Sequence, residues 1–267
     1  MSGRVGAGLS DNHVMEDSAR IDPVRDSSAG TVITSVSTWQ PSPTPVPSSI
    51  RAAVLRHVAD RISTMGAGRI RVGVDGLTAA GKSSFAHELA TCVAAGGRPV
   101  LRAGLDDFKR PWGERHLYDR TTGVGYYANA FDYDAVRRLL LDPAAPGGTG
   151  VCALCSIDPL TQIDHSAVTV HAARDAVLIV DGVFAFRTEI NDCWDLRIWL
   201  DVPTQVSLHR GVHRDGGDGW AGSQAETIHR TRYLAAEHLY LAEHGPASVA
   251  DIVIDNADFP APVVLRG

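Results

Sequence analysis

Residues 76–83 have the sequence GLTAAGKS, with two glycines followed by a lysine and a serine. This spacing fits G-x-x-x-x-G-K-[S/T], the pattern of a loop that binds phosphate groups. Gly76 and Gly81 allow backbone angles and a close approach that a Cβ atom would block. The amides between them can surround an anion at the positive end of the following helix. The stretch predicts a nucleotide site in which Lys82 reaches the β- and γ-phosphates and Ser83 ligates Mg²⁺.

The elements on either side of this stretch support the same interpretation. Residues 69–75, RIRVGVD, alternate apolar and polar types as a strand does, and apolar residues recur every fourth position after Lys82, as on a helix. A strand before the glycines and a helix after them is the context that such a loop needs. The residues predicted to contact ATP are therefore Gly76, Leu77, Thr78, Ala79, Ala80, Gly81, Lys82, Ser83 and Ser84.

A carboxylate follows the second predicted strand, where residues 105–108 are LDDF. Ligands of open α/β sheets bind beyond the carboxyl ends of the strands, so Asp106 is placed to hold an acceptor hydroxyl. A free Asp has a pKa of about 3.9, which makes it a weak base at neutral pH, and its larger contribution would be alignment of the nucleophile. The alternative is that Asp106 and Asp107 only cap a turn.

Two arginines lie four residues apart in LHRGVHRD, residues 208–215. On a helix Arg210 and Arg214 would share one face. The glycine-rich DGGDGWAG that follows could act as a hinge, so the segment suits a lid that closes on phosphates and neutralises their charge. A solvated basic face is the alternative.

The rest of the chain predicts one α/β domain over residues 49–267, preceded by an arm. Strand patterns at 98–108, 175–182, 196–203 and 250–256 alternate with helical patterns that include a long helix at about 224–243. Alternating strands and helices predict a parallel sheet with helices on both faces. Residues 1–48 are rich in Ser, Thr, Gly and Asp and end in QPSPTPVPSS, which predicts a disordered or extended arm.

Composition excludes several classes of protein. The 267 residues carry a formal net charge of −6, which does not suit sequence-independent binding of nucleic acid. No apolar stretch is long enough to cross a bilayer, and the first twenty residues are polar. The pair Cys152 and Cys155 lacks the second pair that a zinc site usually has, which favours buried structural thiols. We expect a cytoplasmic protein without nucleic-acid or membrane partners, and its oligomeric state is left open.

Taken together, the phosphate loop, LDDF, VLIVDGVFAF, LHRGVHRD and ADIVIDN resemble the uridine kinase-like branch of the phosphoribulokinase/uridine kinase family. The resemblance covers about residues 69–258 and implies a P-loop kinase fold with a small helical lid. It implies that Asp106 orients and deprotonates the acceptor hydroxyl, and that Arg210 and Arg214 are lid arginines. Asp181 stands where the family usually has Glu, which implies that it assists Mg²⁺ through water.

The sequence departs from the family where true uridine-cytidine kinases read the base. Their F-D-H-P segment is replaced by GYYANAFD, and their Y-D-F-x-x-H-x-R motif by SIDPLTQID, in which Gln162 replaces the His. Gln162 could still bond a base edge, and nearby aromatic side chains could stack on the ring. The residues predicted to bind the substrate are Asp106, Phe108, Tyr126, Tyr127, Asp158 and Gln162, with Trp112 as a further stacking candidate.

These observations predict an ATP- and Mg²⁺-dependent kinase that phosphorylates a hydroxyl of a small metabolite. A nucleoside is the first expectation, with a 5′-monophosphate as product, and pantothenate, a sugar phosphate or another alcohol are the alternatives. A GTPase is disfavoured because no N-K-x-D element occurs, although the choice between ATP and GTP as donor stays open. The competing hypothesis is a nucleotide-binding regulator without catalysis, which would have no need of a carboxylate at the position of Asp106.

Overall fold

The computed structural model describes residues 25–26, 30–40, 46–217 and 222–267. Within these ranges ten strands, β1 to β10, occur in chain order at Arg25–Asp26, Val32–Thr34, Ile70–Gly76, Val100–Gly104, Val151–Ala153, Thr169–His171, Val177–Asp181, Leu196–Asp201, Ile252–Asp255 and Val263–Arg266. Eight α-helices, α1 to α8, are described at Ser49–Ser63, Lys82–Ala95, Gly123–Asn129, Tyr133–Ala135, Thr204–Gly217, Gly222–Ile228, Ala235–His244 and Pro246–Val249. Short 3₁₀ segments lie at Leu105–Phe108, Trp112–Glu114 and Asn191–Cys193, and π-helical segments at Val136–Leu141 and His229–Leu234.

Seven strands form the main sheet, in the order β10-β9-β8-β3-β7-β4-β2. All neighbours are parallel except β10, which runs antiparallel to β9. The carboxyl ends of β3, β7 and β4 therefore meet at one edge of the sheet. The phosphate loop leaves that edge after β3, LDDF leaves it after β4, and Asp181 ends β7. Strand pairing alone therefore brings the phosphate loop, LDDF and Asp181 to one edge.

Helices cover both faces of this sheet, as the unbroken apolar runs predict. On one face α1 and α2 contribute Val58, Phe85 and Leu89, all fully buried. On the other face Leu140 and Tyr240 pack with Phe184 in a second cluster. The Ser48 hydroxyl caps α1 by accepting from the amide of Arg51 at 3.1 Å. The predicted α/β class with helices on both faces is confirmed.

The boundary predicted at residue 49 is wrong, because part of the predicted arm belongs to the domain. We define residues 30–40 as the N-terminal segment. Its strand β2 pairs in parallel with β4, in register from Val32 opposite Val100 to Thr34 opposite Arg102. Three β-branched residues in an otherwise polar stretch complete the edge of the sheet. The remainder of the predicted arm at residues 1–24, 27–29 and 41–45, with the prolines at 41, 43 and 45, lies outside the described residues.

Other helices and strands differ from those that the sequence periodicity predicts. The long helix predicted at 224–243 is divided into α6 and α7 by the π-helical segment His229–Leu234. The strands β1, β5, β6 and β10 had no clear alternation to predict them, and β5 and β6 pair in a small separate sheet with β1.

Cys152 and Cys155 are both buried, and burial raises the pKa of each thiol to about 12, which makes them unreactive.

Across the described residues, no helix combines the length and the apolar character that a bilayer span needs.

Candidate active site

The phosphate loop connects β3 to the first turn of α2 and needs glycine at both ends. A Cβ atom on Gly76 would lie 2.7 Å from the carbonyl oxygen of Leu200. Gly81 has a left-handed φ of +90°, and a Cβ atom there would lie 2.7 Å from Nδ2 of Asn256. Because neither contact is tolerable, the tight turn of the loop requires both glycines.

Asn256 fixes the loop from outside. It follows β9 and is fully buried, and its Nδ2 donates to the carbonyl of Ala80 at 2.7 Å. Its Oδ1 accepts from buried Arg51 on α1 at 3.0 Å, and Arg51 also pairs with Glu88 on α2 at 2.7 Å. The sequence analysis missed these supporting residues, and the Asn at the end of ADIVIDN is the signal that could have identified the first of them.

Lys82 is directed back onto the loop. Lys82 is only 8% exposed. Its Nζ donates to the carbonyls of Gly76 at 3.0 Å and Leu77 at 2.7 Å. Burial lowers the pKa of Lys82, and the negative charges of Asp75 and Glu237 oppose that shift. Lys82 therefore lies where the predicted nucleotide site needs a cation.

Asp75, the last residue before Gly76, is a buried acid that the sequence analysis did not identify. Burial raises its pKa to about 6, although three donors stabilise the carboxylate: the amide of Gly76 at 2.7 Å, the amide of Phe186 at 3.2 Å and the hydroxyl of Tyr240. Asp75 thus links the start of the loop to two elements on the opposite face of the sheet.

Glu237, on α7, contacts the loop from the other side. Its buried carboxylate accepts from the amide of Thr78, whose carbonyl in turn accepts from the Ser207 hydroxyl at 2.6 Å. Burial raises the pKa of Glu237. A loop amide thus already binds a carboxylate oxygen, which is the kind of contact expected with a phosphate. No local motif surrounds Glu237, and only the packing of α7 reveals it.

Ser83 and Asp181, the two residues predicted to hold Mg²⁺, lie in contact with each other. The Ser83 hydroxyl donates to Oδ2 of Asp181 at 2.6 Å, and Oδ1 of the same carboxylate pairs with Arg102. A hydroxyl and a carboxylate next to a phosphate loop fit the hard, oxygen-preferring Mg²⁺ ion. In the part of the chain that the structure describes, no cluster of three or more metal-binding side chains occurs. The donor set therefore fits an ion held mostly by nucleotide phosphates and water.

Asp106 lies at the end of β4 within the same group of charges. Its Oδ1 forms an ion pair with Nζ of Lys109 at 2.8 Å, and its side chain is 35% exposed. Burial raises the pKa of Asp106, but the charges of Lys109, Lys82 and Arg214 outweigh it and hold the pKa below the usual value. The carboxylate is therefore ionised and partly open to solvent. Lys109 was not singled out by the sequence analysis, although it directly follows LDDF.

Solved structures with the same architecture identify the fold. A possible uridine kinase from Bacillus stearothermophilus aligns with a TM-score of 0.60 and 24% identity, over 76% of this chain and 97% of its own. The chain has the fold of the P-loop kinases. A candidate fructose transport system kinase from Silicibacter sp. TM1040 aligns with a TM-score of 0.59 and 24% identity, over 72% of this chain and 94% of its own. No family model matches the sequence.

The arginines predicted for the lid of this P-loop kinase fold have different partners. Arg210 on α5 donates to the carbonyls of Asn256 at 3.2 Å and Ala257 at 2.6 Å, so it holds the chain that follows β9. Arg214 pairs with Asp215 at 2.6 Å, and its charge acts on Asp106. Only Arg214 shares the charge environment of Asp106. Residues 218–221 of the predicted hinge lie outside the described residues, and the lid function stays a prediction.

Tyr126 shares the charge environment of Asp106, and its role in substrate binding stays a prediction. The charges of Lys109 and Asp106 act on its hydroxyl, and burial raises its pKa. Its ring packs edge-on against Phe131 and Tyr233, with centroids 6.4 and 5.2 Å away. Of the aromatic residues proposed for the substrate, Tyr126 is the one on which the charge of Asp106 acts.

The stacking predicted for Phe108 is wrong, and Tyr127 has partners away from Asp106. Phe108 is 0% exposed and belongs to the hydrophobic core, so it cannot stack on a ligand. Tyr127 donates its hydroxyl to Glu243, near the end of α7, and its ring packs edge-on against Phe184 at 5.4 Å. Alternation along a short helix cannot distinguish a side chain that lines a pocket from one that fills the core.

Asp158 and Gln162 have structural partners instead of a free polar edge. The buried Asp158 carboxylate accepts from the amides of Thr38, Leu160 and Thr161 at 2.6, 2.8 and 2.9 Å and from the Thr38 hydroxyl at 2.9 Å. Gln162 accepts from the amide of Trp112 at 2.7 Å and donates to two carbonyls of its own loop. The predicted substrate contacts of both residues are therefore replaced by contacts that hold the loop and the N-terminal segment.

Proposed function

We propose that this protein is an ATP- and Mg²⁺-dependent kinase that transfers the γ-phosphoryl group to a hydroxyl of a small metabolite. One observation carries the proposal: ionised Asp106 lies in the same charge environment as Lys82 and Arg214, next to a phosphate loop on the P-loop kinase fold. A carboxylate at that position has a use in phosphoryl transfer and none in nucleotide binding alone.

Each residue has a distinct contribution. The loop amides and Lys82 bind the phosphates, and Lys82 must leave the carbonyls of Gly76 and Leu77 to do so. Asp106 accepts a hydrogen bond from the attacking hydroxyl and aligns it, and its low pKa means that proton transfer occurs late. Arg214 neutralises charge on the transferred group. Ser83 and Asp181 would hold Mg²⁺, which supplies further neutralisation of the phosphate charge when bound.

The acceptor predicted first, a nucleoside, loses part of its support. Phe108 and Tyr127 are packed in the core or against α7, and Asp158 and Gln162 are hydrogen-bonded within their loop. Of the other predicted substrate residues, Tyr126 shares the charge environment of Asp106. A non-nucleoside alcohol is therefore the stronger candidate for the acceptor.

A turnover assay with a panel of acceptors tests the proposal. ATP or GTP with Mg²⁺ is supplied together with nucleosides, pantothenate, glycerate, sugars, sugar alcohols or sugar phosphates, and nucleoside diphosphate release and phosphorylated product are measured. We expect one class of acceptor to stimulate release at least tenfold and to appear as a phosphate ester. Tight ATP binding without product from any acceptor would contradict the proposal and favour a non-catalytic regulator.

A further inference from the structure

A polar pocket opens beside Asp106 and has the N-terminal segment as one wall. Thr34, Ser35, Trp39 and Gln40 of that segment line it together with Arg102 and Asp107. Ser83, Asp106 and Asp181 also border it, so the pocket is continuous with the candidate site of phosphoryl transfer. A ligand in the pocket can have one end at Asp106 and the other against the N-terminal segment.

The N-terminal segment is held in place by specific contacts. Strand β2 pairs with β4, and the amide and hydroxyl of Thr38 donate to Asp158 at 2.6 and 2.9 Å. Gln40 donates from Nε2 to the carbonyl of Ser37 at 2.6 Å, which closes the turn that carries Trp39. The wall is therefore built into the fold.

Two buried polar atoms of the lining residues Arg102 and Asp107 have no hydrogen-bond partner among the described residues. They are Oδ1 of Asp107, a residue that is 3% exposed, and Nε of Arg102, a residue that is 7% exposed. Buried polar groups are nearly always paired, and both atoms are covered by neighbouring chain, so a ligand in the pocket would reach them only if the side chains around them shift. Hydroxyl groups both donate and accept, and can satisfy either atom.

The remaining lining suits a ligand with many hydroxyls. Thr34, Ser35 and Ser83 add hydroxyl groups, His87 adds an imidazole, and Trp39 is the one large apolar ring among the described lining residues. Trp39 is 45% exposed, so its ring offers an apolar surface to the carbon face of a ligand. A pocket with one large apolar ring and many polar groups matches a sugar better than a flat base. A base is bound best between two aromatic or apolar surfaces, one on each side of its ring.

We infer that the N-terminal segment forms the specificity wall of the acceptor pocket, and that the acceptor is a sugar or sugar alcohol. One hydroxyl lies at Asp106, while others contact Asp107 and the ligand packs against Trp39. This inference rests on the proposed kinase function and names its acceptor class.

Variants at Trp39 test the wall in the full-length protein, with Val36→Ala as the matched control. Val36 lies in the same segment, is exposed and does not line the pocket. We expect Trp39→Ala to raise KM for the best sugar or sugar alcohol at least tenfold, with KM for ATP within twofold of wild type. Trp39→Phe should restore most of the acceptor affinity, and Val36→Ala should behave as wild type.

Fluorescence supplies a readout that loss of stability alone would not move. The acceptor should change the tryptophan emission of the wild type and of Val36→Ala, and this change should be lost in Trp39→Phe. If Trp39→Ala does not fold, the fluorescence of Trp39→Phe decides.

The outcomes separate the two proposals. If Trp39→Ala and Val36→Ala phosphorylate a sugar with the same KM, the N-terminal segment does not determine acceptor specificity, and the proposed kinase function is unaffected. A clear preference for nucleosides overturns the acceptor class alone. Failure of the wild type to phosphorylate any acceptor overturns the kinase function and this inference with it.

Discussion

At the scale of single residues, the site is a balance of buried charges. Burial shifts Lys82, Asp75 and Glu237 each towards the neutral form. The charge of Lys82 opposes the shift of both acids, and the charges of both acids oppose the shift of Lys82. Asp106 differs because the cations around it hold its pKa low, so it stays ionised. Asp106 is therefore charged at neutral pH, whereas burial raises the pKa of Asp75 to about 6 and also raises the pKa of Glu237.

Replacing Lys82 by Ala should lower kcat by about a hundredfold or more, because the transferring phosphoryl group loses its main side-chain cation. ATP turnover measures the effect. Arg61→Ala, which removes an exposed cation near the end of α1, is the control and should retain wild-type kcat. A Lys82→Ala enzyme with the kcat of that control would remove Lys82 from the mechanism.

Asp106→Asn should leave ATP affinity unchanged and reduce kcat by about a hundredfold or more, since the amide cannot align and deprotonate the hydroxyl as the carboxylate does. Calorimetric titration with ATP and steady-state turnover measure the two quantities. Asp60→Asn changes an exposed acid on α1 and serves as the control. Near-normal turnover of Asp106→Asn would show that this acid is not part of the reaction.

Asp107 should make stability depend on pH. Burial raises its pKa to about 7, so between pH 4 and 7 the folded state holds a proton that the unfolded state releases, and stability falls as the pH rises. Asp107→Asn removes this dependence. The variant should gain up to about 4 kcal/mol of unfolding free energy relative to wild type between pH 4 and 8. Urea unfolding at several pH values measures the difference, and a constant difference would contradict the assigned pKa.

At the scale of elements, the N-terminal segment and the loop around Asp158 depend on each other. Strand β2 is short, and three backbone pairs with β4 are a small contribution by themselves. The four hydrogen bonds accepted by Asp158, two of them from Thr38, attach the chain after β2 to a loop far along the sequence. Asp158, which was predicted from the sequence to bind the substrate, instead holds the N-terminal segment that lines the pocket.

Asp158→Ala should lower the free energy of unfolding by about 2 to 4 kcal/mol, because it leaves several buried donors without a partner. Urea unfolding measures this loss. Asp164→Ala is the matched control, since Asp164 accepts from the amide of Ser166 at its own turn and should lose less than about 1 kcal/mol. Equal losses in the two variants would contradict the structural role of Asp158.

At the scale of the whole molecule, the parallel sheet determines where the chemistry occurs. The ends of β3, β4, β7 and β9 bring the phosphate loop, Asp106, Asp181 and Asn256 to one edge. A nucleotide bound at that edge would contact elements from distant parts of the chain. Folding and ligand binding are therefore linked, and a ligand that binds only the folded state stabilises the whole domain.

Mg²⁺-ATP at about a hundred times its Kd should add about 2.7 kcal/mol to the free energy of unfolding. Thermal unfolding with and without Mg²⁺-ATP measures the gain. Lys82→Ala should show a smaller gain at the same concentration, because its affinity for the triphosphate is weaker. A gain of the same size from AMP would contradict a site that recognises the β- and γ-phosphates.

The sequence by itself determined the features that depend on neighbouring residues. The predicted phosphate site follows from three local patterns: the alternation in β3, the glycines of the loop and the helical repeat after Lys82. Strand, turn and helix are each specified by residues within a few positions of one another. The apolar run of β7 indicates a strand buried on both faces. The position of Asp106 after β4 follows from the same local logic.

Only the tertiary structure decided which side chains reach the site from elsewhere in the chain. Glu237 and Asn256 contact the phosphate loop across more than 150 positions, and Asp158 is taken by Thr38 across 120. Phe108 occupies the core although its motif adjoins the acid. The physical reason is that burial and long-range pairing depend on how whole elements pack, whereas periodicity and turn chemistry act between residues that are close along the chain.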